Sequence, residues 1–464
     1  MDKKLIQPRI LSGFRDLGSA EVRVRDRMME KIRRVFELFG FDPLDTTTVE
    51  FLEVLTGGQP GWDQMGIYQL DSSLERHLTG GDPNFWDKKI ALRFDLTVSL
   101  ARYVAANLNR VPRPFKRYQL GKVYRAETPQ EGRYREFYQF DADTMFAPDV
   151  IADAEIVALM VETMKTLEIA RFRVKVNNRK LMEGVPALLG INDVGLNDLL
   201  RILDKRDKIG REEMLNLLKN PTNKVTDPGL GLSDEQTVKL MSFAEMQGDT
   251  AGKLEQCARM FAGIPIAEVG IAELGKMAAY LKAMGVNENL WEIDLSVVRG
   301  LSYYTGPVFE TQLLELPGIG SVFSGGRFDN LVSRFAVAKV PGTGASVGVD
   351  RLFTALTLLK RVELAQTGVQ ILVARMTTDS VIEAGIAGQL RAAGFNVLVY
   401  DGEVMNFKAQ FNRAVKFDIP YIVIAGVEEL ARGEVTVRDL RARTQACVPI
   451  TDVASYFLRQ RAGT

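Results

Sequence analysis

The chain has 464 residues, room for about three domains of roughly 150 residues each, and its 46% hydrophobic and 25% charged residues suit a globular protein with large cores. Lys+Arg and Asp+Glu stand at 59 each, so net charge advertises no polyanionic partner, and any nucleic-acid contact must come from local basic patches. The one histidine, His77 in the polar stretch SSLERHLTGGDP, reads as a bystander; its solitude excludes Ser-His-Asp and Cys-His nucleophile systems and two-histidine zinc sites. The tools that remain are arginines, carboxylates, amides and a bound metal.

The opening MDKKLIQPRI lacks the apolar run of a signal peptide, and no run of about 18 uncharged apolar residues follows, so no membrane partner is expected. Cys257 and Cys447, far apart in sequence, read as free thiols of a cytoplasmic protein.

In chain order, residues 19–40 carry apolar residues at helical spacing and close on Gly40, a suitable C-cap. An extended FDPLDTTTVEF follows. From 88 to 143 the texture is β: KIALRFDLT, FKRYQLGKVYRAE and YREFYQFDADTMF alternate bulky and polar residues, with the helical VSLARYVAANLNR between the first two. A helix over 150–167 and a strand FRVKVNN complete an α+β block. Residues 181–284 are helical throughout, with a capping signal at Ser233-Asp-Glu-Gln236, and read as an inserted helical domain. Strand texture returns at 290–332, a helix begins near Gly348, and after a polar break at 361–369 strands alternate with helices as in an α/β domain with mostly parallel strands. The boundaries read 1–180 and 285–362 for a split catalytic core, 181–284 for the insertion and 363–464 for the terminal domain.

Three segments carry candidate chemistry. Between Arg113 and Arg135 seven basic residues face only Glu127 and Glu131. Period two puts Val123 with Arg125 on one strand, and Arg135, Phe137, Gln139, Asp141 and Asp143 together on the returning strand. Guanidinium groups offer paired donors to phosphate or carboxylate. Amides and carboxylates alternating with aromatics are an unusual pattern for a merely solvated hairpin. The second segment is VVRGLSYYTGPVFE, where Arg299 interrupts an apolar run; a buried arginine needs a partner, and Asp294 or Glu310 could supply a purely structural one. The third is GGRFDNL with GASVGVDRLF, in which Arg351 lies in the first turn of a helix entered from a Gly-rich loop, where anions are favoured.

Together these residues resemble histidyl-tRNA synthetases, class II aminoacyl-tRNA synthetases, on their eukaryotic-like branch. The likeness is carried by LRFDLTVSLARY at 92–103, the motif-2-like YQLGKVYRAETPQEGRYREFYQFDAD, VRGLSYYTG, SGGRFDNL and the motif-3-like GASVGVDRL. VRGLSYYTG is the histidine-specific part; the final domain resembles the family's anticodon-binding domain. The resemblance implies a catalytic domain on a mostly antiparallel sheet, a helical insertion and a C-terminal α/β anticodon-binding domain. It implies that Arg125, Glu127, Arg133, Arg135 and Arg351 bind ATP, with Mg²⁺ on the phosphates, and that Arg299 with Arg125 is catalytic at the α-phosphate. It places Asp95, Leu96, Thr97, Arg125, Gln139, Asp143, Arg299, Tyr303 and Tyr304 around histidine. The implied reaction forms a histidyl-adenylate and then charges tRNA(His), in a homodimer. The sequence departs from the family pattern at Thr47 (usually Pro), Ser302 (usually Asp), Phe328 (usually Tyr) and Asp350 (usually Glu). The competing readings are a regulatory subunit resembling the synthetase core, which would lack the terminal domain and the ATP-site arginines, and a tRNA-binding paralogue without charging activity.

Overall fold

The computed structural model describes residues 6–57, 66–70, 89–191, 198–199, 202–203, 206–220, 230–297, 303–362, 367–402 and 406–462. His77 lies outside them. The chain divides into two compact units: Met1–Asp16 with Arg25–Arg361, and Leu17–Val24 with Val362–Thr464.

The first unit is organised by an eight-stranded sheet. Its strands are β1 (Asp42–Pro43), β5 (Phe115–Tyr124), β6 (Glu136–Met145), β7 (Phe172–Asn178), β8 (Trp291–Ile293), β9 (Pro307–Leu313), β10 (Phe323–Arg327) and β11 (Gly342–Gly348). They lie in the order β1-β5-β6-β11-β10-β9-β7-β8. Only the two edge pairings, β1 with β5 and β7 with β8, are parallel. A smaller antiparallel sheet, β2 (Val49–Phe51), β4 (Ile90–Leu92) and β3 (Gln69–Leu70), feeds the chain into the segment 93–97.

The two faces of the large sheet differ because its side chains alternate. One face is apolar: Phe140 of β6 and Phe323 of β10 meet Phe36, whose ring lies edge-on to Phe140 at 4.9 Å. Phe36 belongs to α1 (Ser19–Leu38), where Met28, Ile32, Val35 and Phe36 are buried at i, i+4, i+7 and i+8, the spacing of one helical face. Each such buried side chain stabilises by about 1.5–3 kcal/mol. Gly40, with φ of 76°, turns the chain out of the helix in a conformation that L side chains disfavour. The other face holds Arg117 and Gln119 of β5, Gln139, Asp141 and Asp143 of β6, and Ser346 of β11, all in register.

The 16-residue helix α4 (Ile151–Thr166) also covers the apolar side and carries one buried charge. Asp153, fully buried, receives Arg327 Nε at 3.0 Å together with Arg327 Nη2, while Arg327 Nη1 donates to Ala147 O at 2.8 Å. Arg327 of the SGGRFDNL segment is therefore a structural clamp between β10 and α4, on the side of the sheet away from the polar floor.

Helices α5 (Arg179–Leu189), 206–219, 234–244, 250–260 and 265–283 lie among the described residues of the interval expected to be helical. Ser233 and Gln236 form the expected reciprocal capping box. Asn178, at the end of β7, caps α5 and donates to Glu273 Oε2 at 2.8 Å, which fixes the helix Pro265–Ala283 to the sheet. A Cβ on Gly184 would come within 2.8 Å of the Ala267 Cβ, so glycine lets these two helices cross closely.

The second unit holds a five-stranded sheet in the order β13 (Val397–Val399), β12 (Ile371–Ala374), β14 (Tyr421–Ile424), β15 (Glu434–Asp439), β16 (Thr444–Pro449). The expectation of mostly parallel strands needs correction: β13, β12 and β14 are parallel, but β15 pairs antiparallel with both neighbours. Connection length accounts for the difference. Long helical crossovers carry the chain between the first three strands, whereas 425–433 alone join β14 to β15 and 440–443 join β15 to β16, links too short for a parallel return.

Removing the carboxylate that faces Arg327 should expose how much the clamp matters. Asp153→Ala removes the buried partner of a guanidinium that keeps only the partly exposed Asp329, and is expected to destabilise the first unit by about 3 kcal/mol, read as a lower urea midpoint.

Candidate active site

The polar face is built from three directions. From the small sheet, Arg93 sends Nη1 to Thr46 O at 2.7 Å and Nε to Lys122 O at 2.9 Å, tying the segment 93–97 over β5. A Cβ on Gly121 would come within 3.2 Å of the Arg93 guanidinium carbon, so glycine admits that crossing. The tie places Asp95 at the start of α3 (Thr97–Ala106), where its Oδ1 accepts the Val98 N–H at 3.0 Å. Its Oδ2 accepts the Tyr303 hydroxyl at 3.4 Å. Burial raises the Asp95 pKa, against the pull of the Val98 N–H and the Arg125 charge.

From the sheet itself, Gln139, Asp141 and Asp143 stand in a row, each less than a tenth exposed. Gln139 Nε2 donates to Ser346 Oγ at 2.6 Å, and its Oε1 accepts Arg125 Nη2 at 3.3 Å. Arg117, wholly buried, forms an ion pair with Asp143 at 2.9 Å and donates to Leu96 O at 3.3 Å. Both aspartates are shifted upward by burial: Asp141 to about 7, with the Asp143 charge adding to the effect, and Asp143 to about 6 despite Arg117. Glycine makes room for this row, since a Cβ on Gly344 would lie 2.6 Å from Cγ of Asp143.

From the far side, Tyr303 and Tyr304 close over the floor, their rings edge-to-face at 4.9 Å. Burial first, and then Tyr304 for Tyr303 and the Asp143 charge for Tyr304, raise both phenol pKa values, so the two hydroxyls are neutral donors at physiological pH. Phe328 is 2% exposed and packs edge-on against Tyr303 at 6.1 Å.

Arg125, Arg133 and Arg135 lie along the loop that joins β5 to β6. Arg125 Nε donates to Phe94 O at 2.9 Å, so it bridges the loop to the floor. Arg133 pairs with Glu127 at 2.6 Å, both about a third exposed, and such a pair contributes only about 0–1 kcal/mol. Arg135 donates to Glu127 O at 2.9 Å and Ser12 O at 3.1 Å, which holds the N-terminal segment against the loop. Arg351, in the first turn of the helix Val349–Leu358, donates to Ser321 O at 2.8 Å and Gly132 O at 3.3 Å. Carbonyl partners orient a guanidinium without neutralising it.

A profile of histidyl-tRNA synthetase matches residues 13–352, and one of the anticodon-binding domain matches 369–460. The histidine–tRNA ligase of Paracoccus denitrificans is 38% identical over 92% of this chain and 89% of its own length. That of Wolinella succinogenes is 36% identical over 98% and 99%. The chain belongs to the histidyl-tRNA synthetase family. The crystal structure of histidyl-tRNA synthetase from Nostoc sp. PCC 7120 superimposes with a TM-score of 0.81 at 32% identity, covering 98% of this chain and all of that one. A Bacillus halodurans chain described as an ATP phosphoribosyltransferase regulatory subunit/histidyl-tRNA synthetase shares the fold at a TM-score of 0.70, with 24% identity.

The synthetase-like fold thus gathers most of the expected residues. Asp95, Gln139, Asp143, Tyr303 and Tyr304 surround one floor, with Leu96 and Thr97 fully or nearly buried beside it; Arg125 joins that floor to the loop of Glu127, Arg133 and Arg135. Arg299 and Ser302 lie outside the described residues. Sequence reasoning missed Arg117 as the counter-ion of Asp143, although the strand register holds the signal, because the two are direct cross-strand partners. It also missed Arg15, whose guanidinium lies 3.8 Å from the Tyr134 ring centre and 2.5 Å from Asp350 Oδ1. Nothing local marks Arg15. Asp350 in turn accepts the Tyr138 N–H at 2.6 Å through Oδ2, so the shorter acid in place of glutamate fastens the Arg351 helix to β6.

Gly344→Ala tests the packing of the floor. The added methyl must displace the Asp143 carboxylate or the strand, and a loss of about 1–3 kcal/mol is expected as a lower thermal midpoint.

Proposed function

We propose that this protein joins histidine to tRNA(His) in two steps driven by ATP. A histidine carboxylate oxygen attacks the α-phosphorus, the bond to pyrophosphate breaks, and histidyl-adenylate forms. A hydroxyl of the terminal adenosine of the tRNA then attacks the acyl carbon and AMP leaves. The observation that carries this reading is the meeting of two chemistries at Arg125: a floor of buried carboxylates and amides on one side, and an arginine-bearing loop on the other.

In this reading Asp95, with Thr97 and Gln139, takes the α-ammonium group, whose charge suits a desolvated carboxylate. Asp143 and the neutral hydroxyls of Tyr303 and Tyr304 line the imidazole, which offers one donor and one acceptor. Leu96 closes the floor by presenting its carbonyl to Arg117. Arg125, Arg133 and Arg351 hold the nucleotide, with Arg135 and Glu127 shaping the loop. ATP enters as its Mg²⁺ complex, the ion being part of the substrate. Arg299 supplies positive charge at the α-phosphate as negative charge accumulates, electrostatic catalysis that needs no histidine side chain.

The coarser partners follow from the family, and the finer ones are part of the proposal: a cytoplasmic homodimer, with residues 1–180 and 285–362 as catalytic core, 181–284 as an insertion that meets the acceptor stem, and 363–464 as anticodon-binding domain. The terminal residues 370–464 hold eleven basic and ten acidic side chains, so that last assignment rests on the family likeness and not on charge.

Purified protein should exchange labelled pyrophosphate into ATP with histidine and with no other proteinogenic amino acid; absence of exchange at saturating histidine would sink the reading. Arg299→Ala should lower the exchange rate by about 10²–10³-fold with the fold intact by circular dichroism, and an unchanged rate would assign that charge to structure. Arg351→Ala removes a charged donor worth about 1.5–3 kcal/mol and should raise the KM for ATP by about ten- to hundredfold while sparing that for histidine.

A further inference from the structure

The row Gln139, Asp141, Asp143 contains one member with no role so far. Residues on a strand advance about 3.3 Å each, so Gln139 and Asp143 stand roughly 13 Å apart along β6. A ligand that touches both, as the functional reading requires, spans Asp141, which shares their face. Asp141 is 1% exposed; the Ser346 hydroxyl is the one donor close to it, and neither carboxylate oxygen completes a well-formed hydrogen bond among the described residues. Arg117 Nε and Nη1, buried in the same floor, have no hydrogen-bond partner there either. A floor with unfilled acceptors on one side chain and unfilled donors on another is built around something that completes it.

We propose that Asp141 is a specificity-determining residue: with Asp143 and the bound imidazole it shares one proton, so histidine binds together with a proton drawn from solution.

The groups that face Asp141 fit this. On β5 these are Arg117 and Gln119, the latter engaged with Asp45 at 2.9 Å and Thr46 at 3.1 Å. On β6 it is Asp143, and on β11 the Ser346 hydroxyl. From segment 93–97 come the charges of Arg93 and Asp95, and from above the neutral hydroxyls of Tyr303 and Tyr304. Arg117 neutralises Asp143, and Arg93 is committed to carbonyls on β5 and at 46–47, so Asp141 is the carboxylate without a dedicated cation. Burial and the neighbouring Asp143 charge make a proton on the pair favourable near neutrality, the direction both aspartates take. An imidazole laid between them accepts or donates that proton over a short path. A neutral side chain of similar size, such as that of asparagine or glutamine, cannot carry it and leaves a buried charge unbalanced, which supplies discrimination.

The inference rests on the histidine reading above, and calorimetry separates the two. L-histidine is titrated into the full-length protein at pH 8 in phosphate and in Tris, whose ionisation enthalpies differ. The slope of observed heat against ionisation enthalpy counts protons. Wild type should take up about one proton per histidine, because at that pH the free pair is mostly ionised. Asp141→Asn, a permanent donor with no proton to gain, should take up none, and Asp141→Glu should restore uptake. Histidine binding by the wild type without proton uptake overturns this inference alone, and needs no variant to show it. Equal uptake by Asp141→Asn assigns the proton elsewhere and also overturns it. No heat with histidine removes the functional reading and this inference together.

Discussion

Everything at this site depends on how a protein keeps carboxylates ionised where water does not reach. A buried carboxylate needs a cation, donated hydrogen bonds or a proton. Arg117, fully enclosed between β5 and β6, supplies the cation for Asp143 and reaches the Leu96 carbonyl as well. One side chain thus fixes both the acid on the sheet and the segment carrying Asp95 and Thr97. Asp95 uses the second route, accepting the Val98 N–H and the Tyr303 hydroxyl. Asp141 has no dedicated cation and only the Ser346 hydroxyl close by, and its situation follows from the same rule.

Around that floor, positive charge is spent in two different ways. Arg327 and Arg117 are buried against carboxylates and hold the scaffold. Arg125 and Arg351 donate to backbone carbonyls, and Arg125 to the Gln139 amide oxygen as well, neutral acceptors that orient a guanidinium. The distinction sorts the arginines of this chain better than their exposure does. It also explains why the loop between β5 and β6 can present several cations together: their mutual repulsion is screened by solvent and by Glu127. Backbone close approach does the rest, with Gly121 and Gly344 opening space for Arg93 and for Asp143.

Much of the architecture was legible because it is written in local periodicity. The run of β6 was readable as alternating faces, the helix of α1 as i, i+4, i+7 burial, and the capping box at Ser233 as a pair of residues three apart. The family motifs carried the candidate site for the same reason: LRFDLT, YREFYQFDAD and GASVGVDRL are contiguous. The parallel character of the terminal sheet was overstated because strand direction depends on the length of the connection, and β15 and β16 share a short one.

By itself the sequence determined which residues share a face and which segments belong to the histidyl-tRNA synthetase pattern, since both are properties of neighbours along the chain. Tertiary structure alone decided the partners: Arg117 with Asp143 across a strand pair, Arg15 with Asp350 over a separation of 335 residues, Asp153 with Arg327 across 174. Charge pairing in a low-dielectric interior is decided by distance in space, and no local pattern encodes which distant charge will arrive.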